Sequence, residues 1–322
     1  MPRFVLSAGY RIVHLLVVLL LVSIGTFMLL QLTPGDPAIS ILGSNATPDA
    51  VRQMHAQLGL DKPLVQQFGH WLGRAVQGDM GTSVVPPGGS VAGRIGQAVP
   101  VSVELAIMAQ ILALLFAVPI AVWSAYREGG LFDRLFSGVS FGLLSVPTFV
   151  SGLVLALLFS LQWRLLPRSE WVRLTSTQGI GANLSHALLP AVTLALGELA
   201  VYGRLLRADM AHTLGEEFIA TARAKGMPTR RVLFNHALRP SSFSLVTLSG
   251  VSLGRLIGGT VIVEVIFGIP GIGSLLVTAV GSGDYPLVQG IVLVVAVIYV
   301  VINQVVDLSY RLIDPRTRSD RS

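Results

Sequence analysis

Six long apolar stretches restrict what this chain can fold into more than any other feature. They run near Ile12 to Leu32, Val101 to Ala125, Leu135 to Leu161, Leu188 to Leu206, Ser242 to Phe267 and Leu287 to Leu308. Each approaches or exceeds the roughly 20 residues a helix needs to cross a hydrocarbon layer about 30 Å thick. Inside that layer every backbone N–H and C=O must be satisfied within the protein, which a helix does by itself. The expected class is therefore an all-α integral membrane protein with six transmembrane helices. Composition agrees: 52% of the residues are hydrophobic and only 12% are charged, against about 25% charged in ordinary soluble domains. Arg3 and Arg11 precede the first stretch, as in a secretory signal. The stretch is longer than a signal core and no A-x-A site follows, so it is expected to stay as a helix. With no Cys in the chain, a disulfide framework, a thiolate metal site and a Cys nucleophile are excluded.

Charge placement suggests an orientation, because cytosolic loops retain Lys and Arg. Arg127, Arg134, Arg204, Arg207, Arg223, Lys225, Arg230, Arg231, Arg239 and Arg311 all fall on one side if both termini are cytoplasmic. The segment from Thr33 to Pro100 balances Arg52, Lys62, Arg74 and Arg94 against Asp36, Asp49, Asp61 and Asp79, and belongs outside. Arg164, Arg168 and Arg173 in the second external loop run against the bias. The net charge of +6 follows from this topology and suits lipid headgroups rather than nucleic acid. The domain plan expected is a first segment and helix over 1–32, an extracytoplasmic helical cap and linker over 33–98, a core over 99–309 containing a cytoplasmic loop at about 209–240, and a cytoplasmic tail over 310–322.

The external segment opens on the turn-rich Thr33-Pro34-Gly35-Asp36-Pro37. Helical patterning follows over Pro48 to Leu58 and Pro63 to Val76, and the Gly- and Pro-rich stretch Gly78 to Gly96 reads as a linker. The cytoplasmic loop is more informative. In Glu216 to Lys225 acidic residues come first and basic ones last, as the helix dipole favours. Gly226 is placed to take the left-handed position after the helix, and Pro228 helps to stop it. A second helical piece from Thr229 or Arg230 to Leu238 leads back toward the membrane before Pro240. The result is helix, sharp turn, helix: a slim rod with Phe218 and Ile219 on an apolar edge, suited to seating in a groove of another protein.

Here the residues carry a resemblance. Ala220-Thr221-Ala222-Arg223-Ala224-Lys225-Gly226 resembles the E-A-A-x-x-x-G loop of ABC-importer permeases, which continues after nine residues as I-x-L-P. Gly226 and Leu238 match, while Ala220, Thr221, His236 and Arg239 depart from the general pattern. The wording is similar to the dipeptide, oligopeptide and nickel permease branch. Pro34-Gly35-Asp36-Pro37, Leu58-Gly59-Leu60-Asp61-Lys62-Pro63, Gly78-Asp79-Met80-Gly81, Val263-Glu264-Val265-Ile266-Phe267, Pro270-Gly271-Ile272-Gly273, Asp284-Tyr285-Pro286 and Asp314-Pro315-Arg316 agree with that branch in order and spacing.

The resemblance implies a type I ABC importer permease fold in the bacterial inner membrane, and transport of di- or oligopeptides. A nickel chelate, glutathione and other small solutes are not distinguished by the sequence. It implies as partners a second homologous permease, two ATPase subunits or one double ATPase, an extracytoplasmic substrate-binding protein and membrane lipid. The ATPase-coupling residues are then Glu216, Glu217, Phe218, Ala220, Thr221, Ala222, Arg223, Lys225 and Gly226. ATP and Mg are expected in the partners, because this chain has no G-x-x-x-x-G-K-[ST] loop and its only lysines are Lys62 and Lys225.

Gly250, Gly254 and Gly258 form a small-x-x-x-small stripe suited to close helix packing or to a seam with the second permease, and Gly138 and Gly142 suggest the same device. Ionisable residues in spans are functional candidates. Glu104, Glu264 and Asp307 lie near span ends, whereas Glu198 and Arg255 lie deeper and either pair across the fourth and fifth spans or line a pathway. Candidate pathway or gate residues are Glu198, Arg255, Glu264, Pro270, Gly271 and Gly273. Pro119 and Pro147 are expected to bend their spans. No H-E-x-x-H occurs and the six His are scattered, so no catalytic, cofactor or metal site is expected. The rival reading, an ion-coupled secondary transporter, rests on a midplane carboxylate such as Glu198.

Overall fold

The computed structural model describes residues 2–31, 36–42, 46–85, 88–167, 171–177 and 179–313. The turn at Thr33-Pro34-Gly35, Arg168 and the tail from Asp314 lie outside the described residues. What is described is helical, and the isolated antiparallel bridge between Thr82 and Ser90 is its one β feature. The helices are α1 (Pro2–Gln31), α2 (Pro37–Leu42), α3 (Pro48–Leu58), α4 (Leu64–Val76), α5 (Val91–Tyr126), α6 (Leu131–Ser145), α7 (Thr148–Leu155), α8 (Gly179–Leu214), α9 (Glu217–Ala224), α10 (Thr229–Arg231), α11 (Leu238–Gly259), α12 (Val261–Phe267), α13 (Ile272–Gly281) and α14 (Tyr285–Ile313).

Among the described residues three helices are long and apolar enough to cross a membrane without interruption: α5, α8 and α14 over Tyr285–Val306. Two more spans are broken. α6 and α7 meet at 102° and α7 continues in a π-helical turn, Ala156–Gln162; α11 and α12 meet at 49°. In α1 the described apolar run is Leu15–Met28. The causes of the breaks differ. Pro147 cannot donate a helical N–H and holds Val146 extended at φ −90°, ψ 123°. At the second break Gly258 and Gly259 lower helix propensity, and the Thr260 hydroxyl bonds both Ile257 O, at 3.1 Å, and Glu264 Oε1, at 2.7 Å. Pro119, expected to bend its span, lies within the unbroken α5.

The second span also starts earlier than expected. α5 begins at Val91 and runs through Pro100, so the linker ends ten residues sooner than the apolar stretch implies. Val91, Ile95 and Ala98 are buried there against Ile272, Ala279, Leu287, Val288 and Ile291. That apolar burial offsets the N–H that Pro100 lacks.

The chain divides into two compact units, Met1–Pro100 with Pro270–Val300, and Val101–Ile269 with Val301–Ser322. In the first unit, α3 and α4 form as the sequence indicates. Thr47 caps α3 by accepting the Ala50 N–H, and Gly59 ends it at φ 68°. Phe68 of α4 meets Phe27 of α1 edge-on at 5.5 Å and lies 6.1 Å from Trp71, which docks the small helical layer on α1. Asp284, fully buried before α14, accepts hydrogen bonds from Ser83 Oγ and the Leu287 N–H, while Arg94 Nη1 donates to Ser83 at 2.6 Å. A buried carboxylate needs such partners.

α8 is the hub of the second unit. A Cβ at Gly203 would lie 2.6 Å from Phe136 Cζ, and one at Gly152 would lie 3.1 Å from Thr193 Cγ2, so these two glycines admit α6 and α7 against α8. Gly138 and Gly142, the expected contact glycines of that span, have none of the described residues within 4 Å of such a Cβ. Polar tethers add to the packing. Tyr202 donates to Gln110 Oε1 at 2.9 Å, and Asn183 donates to Glu104 Oε1 at 2.6 Å.

Candidate functional site

The loop between α8 and α11 is built as a bracket. Glu216 is extended at φ −71°, ψ 149°, and its carbonyl accepts from Ile219 and Ala220 N–H, which starts α9. Glu217 stands in the first turn and Arg223 in the last, complementing the dipole. Gly226 takes φ +73°, and its N–H bonds Arg223 O at 2.9 Å. A side chain there would sit in the unfavourable left-handed region. Pro228 opens the return at ψ 142°, α10 makes one turn, and a π-helical turn Val232–Ala237 runs into α11.

One edge of α9 is buried and the other is bare. Ile219 and Ala222 point inward, as do Val232, Leu233 and Ala237 of the return arm, and α9 packs on that arm. Phe218, Ala220, Thr221, Arg223, Ala224, Lys225 and Gly226 are exposed, as are Glu216 and Glu217. Phe218 is 48% exposed and Phe234 47%, two aromatic knobs amid charges. Arg230 and Arg231 extend the basic side.

The bracket is tied to the hub at its base. Ser241 Oγ lies 3.2 Å from Asp209 O and 2.8 Å from Thr213 Oγ1, linking the start of α11 to the end of α8. Higher on α8, Arg207 grips Asp133 at the start of α6. Asp133 also accepts from Ser124 Oγ at 2.6 Å and the Gly129 N–H at 2.9 Å, which fixes the short turn between α5 and α6.

The remaining candidates separate. Glu198 and Arg255 do meet: Arg255 Nη2 donates to Glu198 Oε1 at 3.0 Å and to Ser252 Oγ at 3.1 Å. Glu264 is fully buried and accepts from Ser102 Oγ at 2.6 Å and from Thr260, bracing the broken fifth span to α5. It faces no open space. Gly250 packs on Val306 of the same chain, where a Cβ would approach to 2.6 Å. Gly254 is buried, and a Cβ at Gly258 would meet nothing within 4 Å. Gly271 caps α13, with Gly273 buried behind it and Pro270 exposed before it. Asp133 and Gly203 were not singled out by sequence reasoning, Arg207 entered only as one of the cytoplasmic charges, and Asp284 only within the Asp284-Tyr285-Pro286 resemblance. Asp133 and Asp284 each head a long apolar helix, and that position was the available signal.

A helical membrane bundle with broken spans and an exposed bracket helix defines a class: the membrane-embedded permease subunit of a transporter. The chain belongs to the family of binding-protein-dependent transport system inner membrane components, whose model matches residues 117–319, and a model of the N-terminal part of such components matches residues 1–90. It is 38% identical to a probable peptide ABC transporter permease protein of Sinorhizobium fredii, covering 96% of this chain and 97% of that one. A putative peptide transport system permease protein of Brucella abortus is 37% identical, with 96% and 98% covered. The dipeptide transport system permease protein DppB of Escherichia coli is 35% identical, with 92% and 94% covered. Among solved structures, an amino acid ABC transporter crystallised with histidines matches with a TM-score of 0.51 at 15% identity, over 68% of this chain and 93% of that one. That likeness concerns the fold, which is the type I permease fold.

Proposed function

We propose that this chain is a permease subunit of an ATP-driven, binding-protein-dependent importer of di- or oligopeptides. It forms the pathway with a second homologous permease as a six-span protein, α1 being the first span, with both termini in the cytoplasm. Two ATPase subunits, or one double ATPase, bind ATP and Mg below it, and an extracytoplasmic binding protein delivers the peptide. Peptide as the cargo rests on the names of its relatives.

The observation that carries the coupling role is the two-faced α9. Its inner edge, Ile219 and Ala222, is fixed to the return arm, and its outer face offers Phe218, Thr221, Arg223 and Lys225, exposed among the described residues. An aromatic and an Arg ringed by polar groups are the residue types that anchor protein interfaces. A short rod held at both ends moves as a rigid body, so an ATPase gripping it turns α8 and α11 with it. Glu198, on which ion coupling would depend, is engaged by Arg255.

The test is uptake into proteoliposomes holding the full assembly and the binding protein. ATP-dependent peptide accumulation that survives collapse of ion gradients supports an ATP-driven importer. Accumulation that proceeds without ATP on an imposed ion gradient contradicts it.

A further inference from the structure

Arg255 lies in the interior of a broken membrane span, yet its side chain is 62% exposed, while its partner Glu198 is almost wholly buried. A guanidinium at that depth does not face acyl chains without a cost of several kcal/mol, so this face looks onto water or onto an anion. Only Nη2 is engaged, by Glu198 and Ser252; Nε and Nη1 have no hydrogen-bond partner among the described residues. The neighbours at helical spacing leave room. Val251, one turn before it, is exposed, and a Cβ at Gly258 or Gly259 would meet none of the described residues within 4 Å. A bare glycine floor therefore lies one turn beyond the guanidinium.

Glu198 gives the site its character. It is buried, its Oε1 fixes the guanidinium, and Tyr202 lies beside it one turn along α8. A charge already paired inside the protein binds a second carboxylate weakly. Weak binding suits a station on a route, where a ligand must leave, and suits a permanent subunit contact poorly.

We infer that Arg255, steered by Glu198, is a weak carboxylate-binding station in the translocation pathway, and that its ligand is the C-terminal carboxylate of the passing peptide. The free edge of the guanidinium presents two N–H groups in the fork that matches a carboxylate. This inference rests on the peptide-importer reading above.

The test compares dialanine with dialanine amide, which lacks the anionic end. Uptake of each is measured in the complete reconstituted transporter and divided by its affinity for the isolated binding protein, so that discrimination before the membrane cancels. The wild type is expected to prefer the free acid by about tenfold after that correction, the scale of one hydrogen bond to a charged group. Arg255→Gln is expected to abolish the preference by slowing the free acid alone. Arg255→Lys, which keeps the charge without the fork, is expected to retain part of it, and covers the case in which Arg255→Gln fails to insert. Equal slowing of both substrates overturns the station and assigns Arg255 a structural role. Loss of the second permease from the purified variant overturns it in favour of an anionic residue of that subunit. ATP-dependent uptake with no acid preference in the wild type overturns the station alone, whereas no uptake of either peptide overturns the peptide reading beneath it.

Discussion

Arg207 holds both carboxylate oxygens of Asp133, with Nε 3.0 Å from Oδ1 and Nη2 2.7 Å from Oδ2. The fork pins the start of α6 to α8, the helix that runs directly into the bracket proposed to couple to the ATPases. Movement of α9 is thereby shared with the α5–α6 turn. Asp133→Ala leaves a partly buried guanidinium whose remaining acidic neighbour among the described residues is Glu128, at 3.3 Å. Removing one partner of such a pair costs roughly 3 kcal/mol. The expected outcome is a clear drop in the thermal unfolding temperature of the purified permease, together with ATPase activity less stimulated by peptide. Asp133→Glu should restore part of both. An unchanged melting temperature contradicts the tether.

Gly226 is in the left-handed region at φ +73° with open space around it, so its requirement is conformational and not steric. Gly226→Val costs on the order of 1–2 kcal/mol there, too little to prevent insertion but enough to shift α9. Transport is expected to fall sharply at normal membrane abundance. Immunoblotting and uptake measured side by side check this, and full uptake in the variant counts against it.

At Gly203 the requirement is steric. A Cβ would lie 2.6 Å from Phe136 Cζ, and Phe136 is itself buried. Gly203→Val is expected to lower yield and stability, and adding Phe136→Ala should recover a substantial part. That pattern is the coupling of contacting residues seen in a double-mutant cycle. Simple additivity of the two losses contradicts the contact.

Asp79, outside the spans, has a pKa below the usual carboxylate range, because the Gly81 N–H and then the Arg74 guanidinium bond its ionised form. A carboxyl lowered by folding stabilises the fold above its unfolded pKa, and that contribution is lost as pH falls through the folded value. The turn after α4 is therefore expected to stay protected from hydrogen exchange at neutral pH and to loosen in acid. Asp79→Asn should loosen it at neutral pH. Protection equal in both proteins contradicts this role.

The bracket was legible in the sequence because its signals are local: charges ordered along one turn of helix, a glycine where only glycine is comfortable, and a proline after it. The last five apolar stretches were legible as spans for the same reason, being continuous in sequence. Their breaks were legible only in part. Pro147 announced its bend, but Pro119 and Pro100 are absorbed into α5, since packing around a membrane helix supplies what a proline removes. Gly258 read as a glycine for packing or for a seam with a second permease; it lies just before the break at Thr260, and a Cβ there would meet none of the described residues within 4 Å. Arg207 and Asp133 stand 74 residues apart, and no periodicity joins residues at such a distance. The pairing of Glu198 with Arg255 was visible as one of two alternatives because charges are so few in these spans.

The chain has no Cys, so one introduced at exposed Thr221 reports on α9 alone. Coupling through α9 predicts that a membrane-impermeant thiol reagent modifies Thr221→Cys rapidly from the cytoplasmic side of the permease without its ATPases, and slowly once the ATPases are bound. Equal modification in a working assembly, or modification from the outer side of the membrane, contradicts it.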